Sequence, residues 1–115
     1  MDSILTSVKK LLGVTEEYTH FDTDIIMHIN SVFTILTQLG VGPSAGFSIS
    51  DSSAVWTDFI DETPQLELVK SYMYLRVRLL FDSTTMSGTV VESINRQISE
   101  FEWRLQVGAE LNSEE

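Results

Sequence analysis

Side chains able to do acid–base or metal chemistry are present in this sequence but poorly spaced for it. There are 17 acids and 2 histidines, and no cysteine, which removes thiol and disulfide chemistry. The stretch FDTD sets Asp22 and Asp24 two residues apart. Such a pair holds a cation only with further ligands, and none is evident; both residues suit helix capping instead. DFIDE gathers Asp58, Asp61 and Glu62, which read as polar surface. His20 lies in a polar link, and His28 sits at the edge of an apolar helix face, where a partly buried structural role fits. There is no glycine-rich phosphate loop, no His-x-x-x-His and no nucleophile–base pair. The expectation is a protein that is not an enzyme and needs no metal or cofactor.

The basic residues are more informative. Only seven exist, and Lys70, Arg76 and Arg78 fall in or beside SYMYLRVRLLFD (71–82), an apolar run. As a strand it would alternate, with both arginines on one side. The preceding ETPQLE favours a helix: Thr63 as N-cap, Pro64 at the first helical position and Glu67 in the first turns. A helix over about 64–81 is apolar most of the way round, as a central buried helix is. With Leu66 at zero, Arg76 falls at about 280°, inside the apolar arc, and Arg78 at about 120°, on a narrow polar stripe. A buried guanidinium needs a carboxylate. Asp22, Asp24, Asp58, Glu100 and Glu102 are candidates, and a neighbouring subunit is the other possible destination. Arg78 suits solvent or an interface.

The remaining elements read as helices. Residues 3–12 place Ile4, Leu5, Val8, Leu11 and Leu12 on one face, Lys9 and Lys10 opposite, and stop at Gly13. Residues 22–39 follow THFD, a possible Thr19–Asp22 capping box unless Asp22 itself caps. Ile25, Ile29, Val32, Phe33, Ile35, Leu36 and Leu39 share a broad face. The opposite face holds Asn30, Ser31, Thr34, Thr37 and Gln38, polar but uncharged. Solvated faces usually carry Lys or Glu, so this one suits packing against a partner as well as plain exposure. LGVGPSAG then breaks the helix. Phe47 and Ile49 alternate with serines as in a short strand. Ser53–Ile60 reads as one or two helical turns, with Val55, Trp56, Phe59 and Ile60 turned inward. A last helix over about 87–107 carries a stripe of Val90, Ile94, Ile98, Phe101 and Leu105. Trp103 and Val107 lie on its other side near Arg96, a pattern that fits an interface anchor or a tryptophan covering the edge of its own core.

At 115 residues this is one compact domain, all-α, with about four helices and an irregular or β-like segment around 44–52. Residues 1–107 form the folded unit, and 108–115 read as a flexible acidic tail. Hydrophobic content of 43% argues against general disorder. The opening MDSILTSVKKLLG does not read as a signal peptide, and no apolar run reaches membrane-spanning length. The net charge of −10 and the lack of a basic patch with interleaved aromatics argue against gripping nucleic acid.

FDTDIIMHINSVFTILTQLGVGP (21–43), VKSYMYLRVRLLFD (69–82) and ISEFEWRLQV (98–107) together resemble the small head–tail connector proteins of tailed phages and of prophages in Gram-positive bacteria. The resemblance runs from about residue 3 to 107. Its motifs are a packing pattern, not a catalytic signature. Connectors often have proline directly after LFD; here Ser83 and Thr84 follow, which bears on the link between the third and fourth helices. The resemblance implies a homo-oligomeric ring, twelve copies matching the portal, seated under the portal protein and joined below to a stopper or tail-completion protein. It implies a place at the virion head–tail interface, with assembly in the host cytoplasm. DNA would pass through without sequence-specific binding, along a wall that the acidity of many copies makes negative. The interface candidates are Asn30, Thr34, Thr37, Gln38, Arg78, Arg96, Trp103 and Val107. The competing expectation is a monomeric acidic binding module, a regulator or DNA mimic.

Overall fold

The computed structural model describes residues 3–82 and 85–113. Four α-helices, α1 (Ile4–Leu12), α2 (Asp22–Gln38), α3 (Pro64–Asp82) and α4 (Gly88–Ser113), make up the architecture of the described residues, with a 3-10 turn at Trp56–Asp58. No strand occurs among the described residues, so the all-α expectation holds. The Ser83–Thr84 departure lies outside the described residues.

In α1 the Ser3 hydroxyl accepts the Thr6 N–H at 2.9 Å, and Gly13 closes the helix in the left-handed region at φ 82°. Ile4, Leu5 and Val8 are buried as their spacing requires. Two positions are exchanged relative to the helical projection. Lys9 is buried, 2% exposed, and Leu11 stands out at 56%. Lys9 is one turn beyond Leu5, so its stem extends the apolar stripe. Its ammonium then meets a carboxylate, which makes the burial tolerable.

The N-terminus of α2 has no capping box. Phe21 occupies the cap position without a side-chain bond, and the Thr19 carbonyl accepts the Asp22 N–H at 3.2 Å. Asp22 is the first helical residue and turns its carboxylate to Lys9. Ile25, Ile29, Val32, Phe33 and Leu36 enter the core.

Between α2 and α3, residues 47–50 keep the inward–outward alternation of a strand without a strand partner, while Val55 makes an isolated antiparallel bridge to Ser3. Ile49 is buried and Phe47 packs edge-on to Phe33, while Ser48 and Ser50 are exposed. In place of a neighbouring strand, the Asn30 amide bonds the backbone: Nδ2 donates to the Ile49 carbonyl at 2.9 Å, and Oδ1 accepts the Ile49 N–H at 2.8 Å. Trp56 and Phe59 follow into the core, and Trp56 Nε1 donates to Ser7 Oγ at 2.9 Å. Gly42 has φ 84°, and a Cβ there would lie 2.4 Å from the Phe59 ring.

Helix α3 packs against each of the other three helices, so its all-round apolarity has a structural cause. Leu66, Val69, Tyr72, Met73, Leu75 and Val77 are buried. Helices α2 and α4 pack chiefly on α3. Phe21 before α2 meets Phe81 at the end of α3 (5.3 Å between ring centres), and Gln65 near the start of α3 donates to the Leu105 carbonyl of α4 at 3.3 Å. Both flanking helices therefore run antiparallel to α3 and parallel to each other. They converge at their C-terminal ends, where Gly40 lies against Ala109. The chain forms a slab, 43 × 35 × 21 Å, about two helix diameters thick.

On α4 the expected stripe is present: Ile94, Ile98 and Leu105 are buried, Phe101 is partly so, and Val90 at its start is exposed. The helix continues to Ser113 rather than ending near 107. Gly108 does not stop it. The Gln65 amide lies over that position, where a Cβ would come within 2.7 Å of Oε1, so the missing side chain is used for close packing. The partly buried Ala109 then packs against the core.

Candidate functional site

Arg76 lies on the half-buried seam between α3 and α4, one turn beyond Tyr72. Its guanidinium Nη2 bonds Glu102 Oε2, and its Nε donates to Tyr72 Oη at 3.1 Å. The Tyr72 hydroxyl donates in turn to Glu102 Oε2 at 2.6 Å. Three side chains thus close a polar triangle between the two helices. Burial by itself would weaken both charges. Bonds from Glu102 and Tyr72 nevertheless hold the Arg76 guanidinium above its ordinary pKa. Bonds from Tyr72 and Arg76 hold the Glu102 carboxyl below its ordinary range. Burial, and then the bond to Glu102, push the Tyr72 phenol well up. Each of its three polar groups is bonded to another within the triangle; its chemistry is that of a clasp. Of the five acids the sequence offered to Arg76, Glu102 is the partner.

A second clasp was not anticipated. Lys9 Nζ donates to the Glu16 carbonyl at 3.0 Å and lies 2.8 Å from Asp22 Oδ1. That Asp22 oxygen is buried and has no hydrogen-bond partner, so it is held by charge. The clasp ties α1, the 13–21 link and the start of α2 together. The available signal was a lysine one turn past Leu5 with an acid at the next helix start.

The remaining acids do not converge. Among the described residues no three His, Asp or Glu side chains form a metal-sized group. Asp51, fully exposed, accepts bonds from the Ser53 hydroxyl and N–H, which lower its pKa. Asp58 bonds the Val55 N–H at 2.9 Å. His28 is partly buried, and His20 is exposed within an aromatic group, 4.9 Å from the Phe21 ring and 6.0 Å from Tyr18. No helix among the described residues is long and apolar enough to cross a membrane.

All but one of the interface candidates divide between the two flanking helices. Asn30 is partly buried and its amide is occupied by Ile49, so its role is internal. The Thr34 hydroxyl donates to the Asn30 carbonyl (3.2 Å) and that of Thr37 to the Phe33 carbonyl (3.0 Å). Thr34 and Gln38 are exposed, and Thr37 is partly so. On α4, Arg96 is exposed, Val107 is partly buried, and Trp103 is the most exposed large apolar side chain at 66%. Trp103 therefore does not cover its own core. The exception, Arg78, is on α3 and is partly buried. Exposed Met27 (58%) on α2 joins the set, unnoticed in the sequence because its neighbours at one-turn spacing are polar.

Comparison with curated proteins and with solved structures returns no match. A family model, that of the phage connector proteins, does match, and it spans residues 4–112. That span takes in both clasps and all of the four helices but the last residue of α4, so the chain belongs to the phage connector family, a structural and not an enzymatic family of the phage head–tail junction.

Proposed function

We propose that this protein assembles as a ring beneath the portal, lengthens the channel through which the genome passes, and presents its far side to a stopper or tail-completion protein. The observation that carries this reading is the connector-family match over residues 4–112. Two features support it. The exposed apolar side chains Met27 and Trp103 stand on two different helices that both pack on α3, and a head-to-tail ring joins two different surfaces of the same chain. The chain's charge of −10, repeated around a ring, gives a conduit that repels the DNA backbone. Twelve copies would match a twelvefold portal, and assembly onto finished heads would occur in the host cytoplasm. The contribution is positional, with no reaction and no cofactor.

Purified protein mixed with the portal of the same phage tests this. Co-sedimentation and a ring of density under the portal by electron microscopy are the expected results. A chain that stays monomeric and ignores portal at every concentration would overturn the ring and favour the monomeric acidic module.

A further inference from the structure

The outer faces of α2 and α4 form a matched pair. On α2, Met27, Ser31, Thr34 and Gln38 recur at one-turn spacing, all exposed and none charged. They point away from the buried Ile25, Ile29, Val32 and Leu36. The hydroxyls of Ser31 and Thr34 already donate to the carbonyls four residues back, at 3.0 and 3.2 Å. The Met27–Ser31–Thr34 part of this face can therefore be covered without stranding a hydroxyl donor. On α4, Trp103 points away from Ile94, Ile98 and Leu105 in the same manner, with Arg96 two turns earlier.

The two faces also share a level. Helices α2 and α4 run parallel and meet where Gly40 touches Ala109. Thr34 and Trp103 lie equally far back from that point along their helices, and so do Met27 and Arg96. Rotation about an axis running along the helices preserves height. It brings α4 of one copy beside α2 of the next with Trp103 opposite Ser31 and Thr34, whose small side chains leave room for an indole. Arg96 then stands within one turn of Asp24, an exposed acid near the start of α2. Copies carrying −10 each repel. An uncharged face met by a tryptophan, with an arginine against an acid at its margin, is where a second copy can approach.

We propose that Trp103 of one copy seats on the Met27–Ser31–Thr34 face of α2 of the next, with Arg96 reaching Asp24 across the contact. This rests on the ring reading above and names the contact that builds the ring. A shallow apolar groove bounded by Leu11, Tyr74 and Phe101 is the rival seat for Trp103.

The chain has no cysteine, so paired substitutions report contacts cleanly. Oxidised Ser31→Cys/Ser99→Cys protein should give a covalent ladder, alone at high concentration and on portal, whereas Ser71→Cys/Ser99→Cys, which samples the groove, should not. With Trp103→Ser added, the ladder should fall by about tenfold or more. Arg96→Glu or Asp24→Arg alone should weaken it by about fivefold, and the two together should restore it. A ladder from the groove pair, equal ladders from both pairs, or no rescue by the double reversal overturns the contact. Rings seen by microscopy with no Ser31–Ser99 ladder overturn the contact and leave the ring standing. Absence of rings on portal overturns the ring itself.

Discussion

Arg76 shows how far one residue can be read before its neighbours are known. Its angular position on an apolar helix already demanded an acid, and the acid is Glu102. Choosing among five carboxylates required the relative height of α3 and α4, which packing sets and no local pattern encodes. Arg76→Ala leaves Glu102 and the Tyr72 hydroxyl under-paired. Because the pair is about a third exposed, the expected loss is about 2 kcal/mol, below that of a fully buried pair, measured by urea unfolding. Glu102 adds a pH signature. Its folded-state pKa is depressed, so its contribution is complete above the ordinary glutamate range of about 4.3 and declines as the pH falls through the lower folded value. Arg76→Ala should remove most of that acid-side slope. Lys9 was the residue least legible in sequence, because a lysine beside a lysine reads as solvated. Lys9→Met alone should destabilise the fold by about 2–3 kcal/mol by stranding Asp22, whereas Lys9→Met with Asp22→Leu should recover most of the loss.

Helix positions at the level of the element were legible wherever period and punctuation agreed, as for α1 with Gly13, and α3 with Thr63 and Pro64. Misreadings arose where a residue's usual role was displaced by a tertiary one. Asp22 left its cap for Lys9. Gly108 marks a close approach of Gln65, not a helix end. The 40–62 segment was ambiguous because its alternating pattern is that of a strand, while its pairing partner is a side-chain amide on a helix. Gly42→Ala tests how tightly that segment is fastened. The change meets both the left-handed backbone and the buried Phe59 ring, and should cost about 2 kcal/mol or more, read as a lowered Tm with α-helical content retained.

Across the whole molecule, charge accounting limits how copies can meet. Lys9 and Arg76 are spent inside the fold, leaving five of seven bases against an acidic surface. Long-range repulsion between like copies falls as salt is added. Self-association should therefore strengthen between about 50 and 500 mM salt, a span over which the Debye length drops severalfold, as followed by light scattering. Association that weakens steadily over that range would instead place many opposed charges in the contact. Nothing in one chain's sequence states this, since it concerns the distance between copies.

The two tryptophans occupy opposite environments. Trp56 is buried and bonded to Ser7, and Trp103 stands in solvent. Their emission should differ accordingly, the first blue-shifted and lost on unfolding, the second red-shifted and open to a soluble quencher. Trp56→Phe would leave one optical probe on the outer face of α4, and Trp103→Phe one in the core. The same protein can then report its folding and its assembly as separate colours in a single titration.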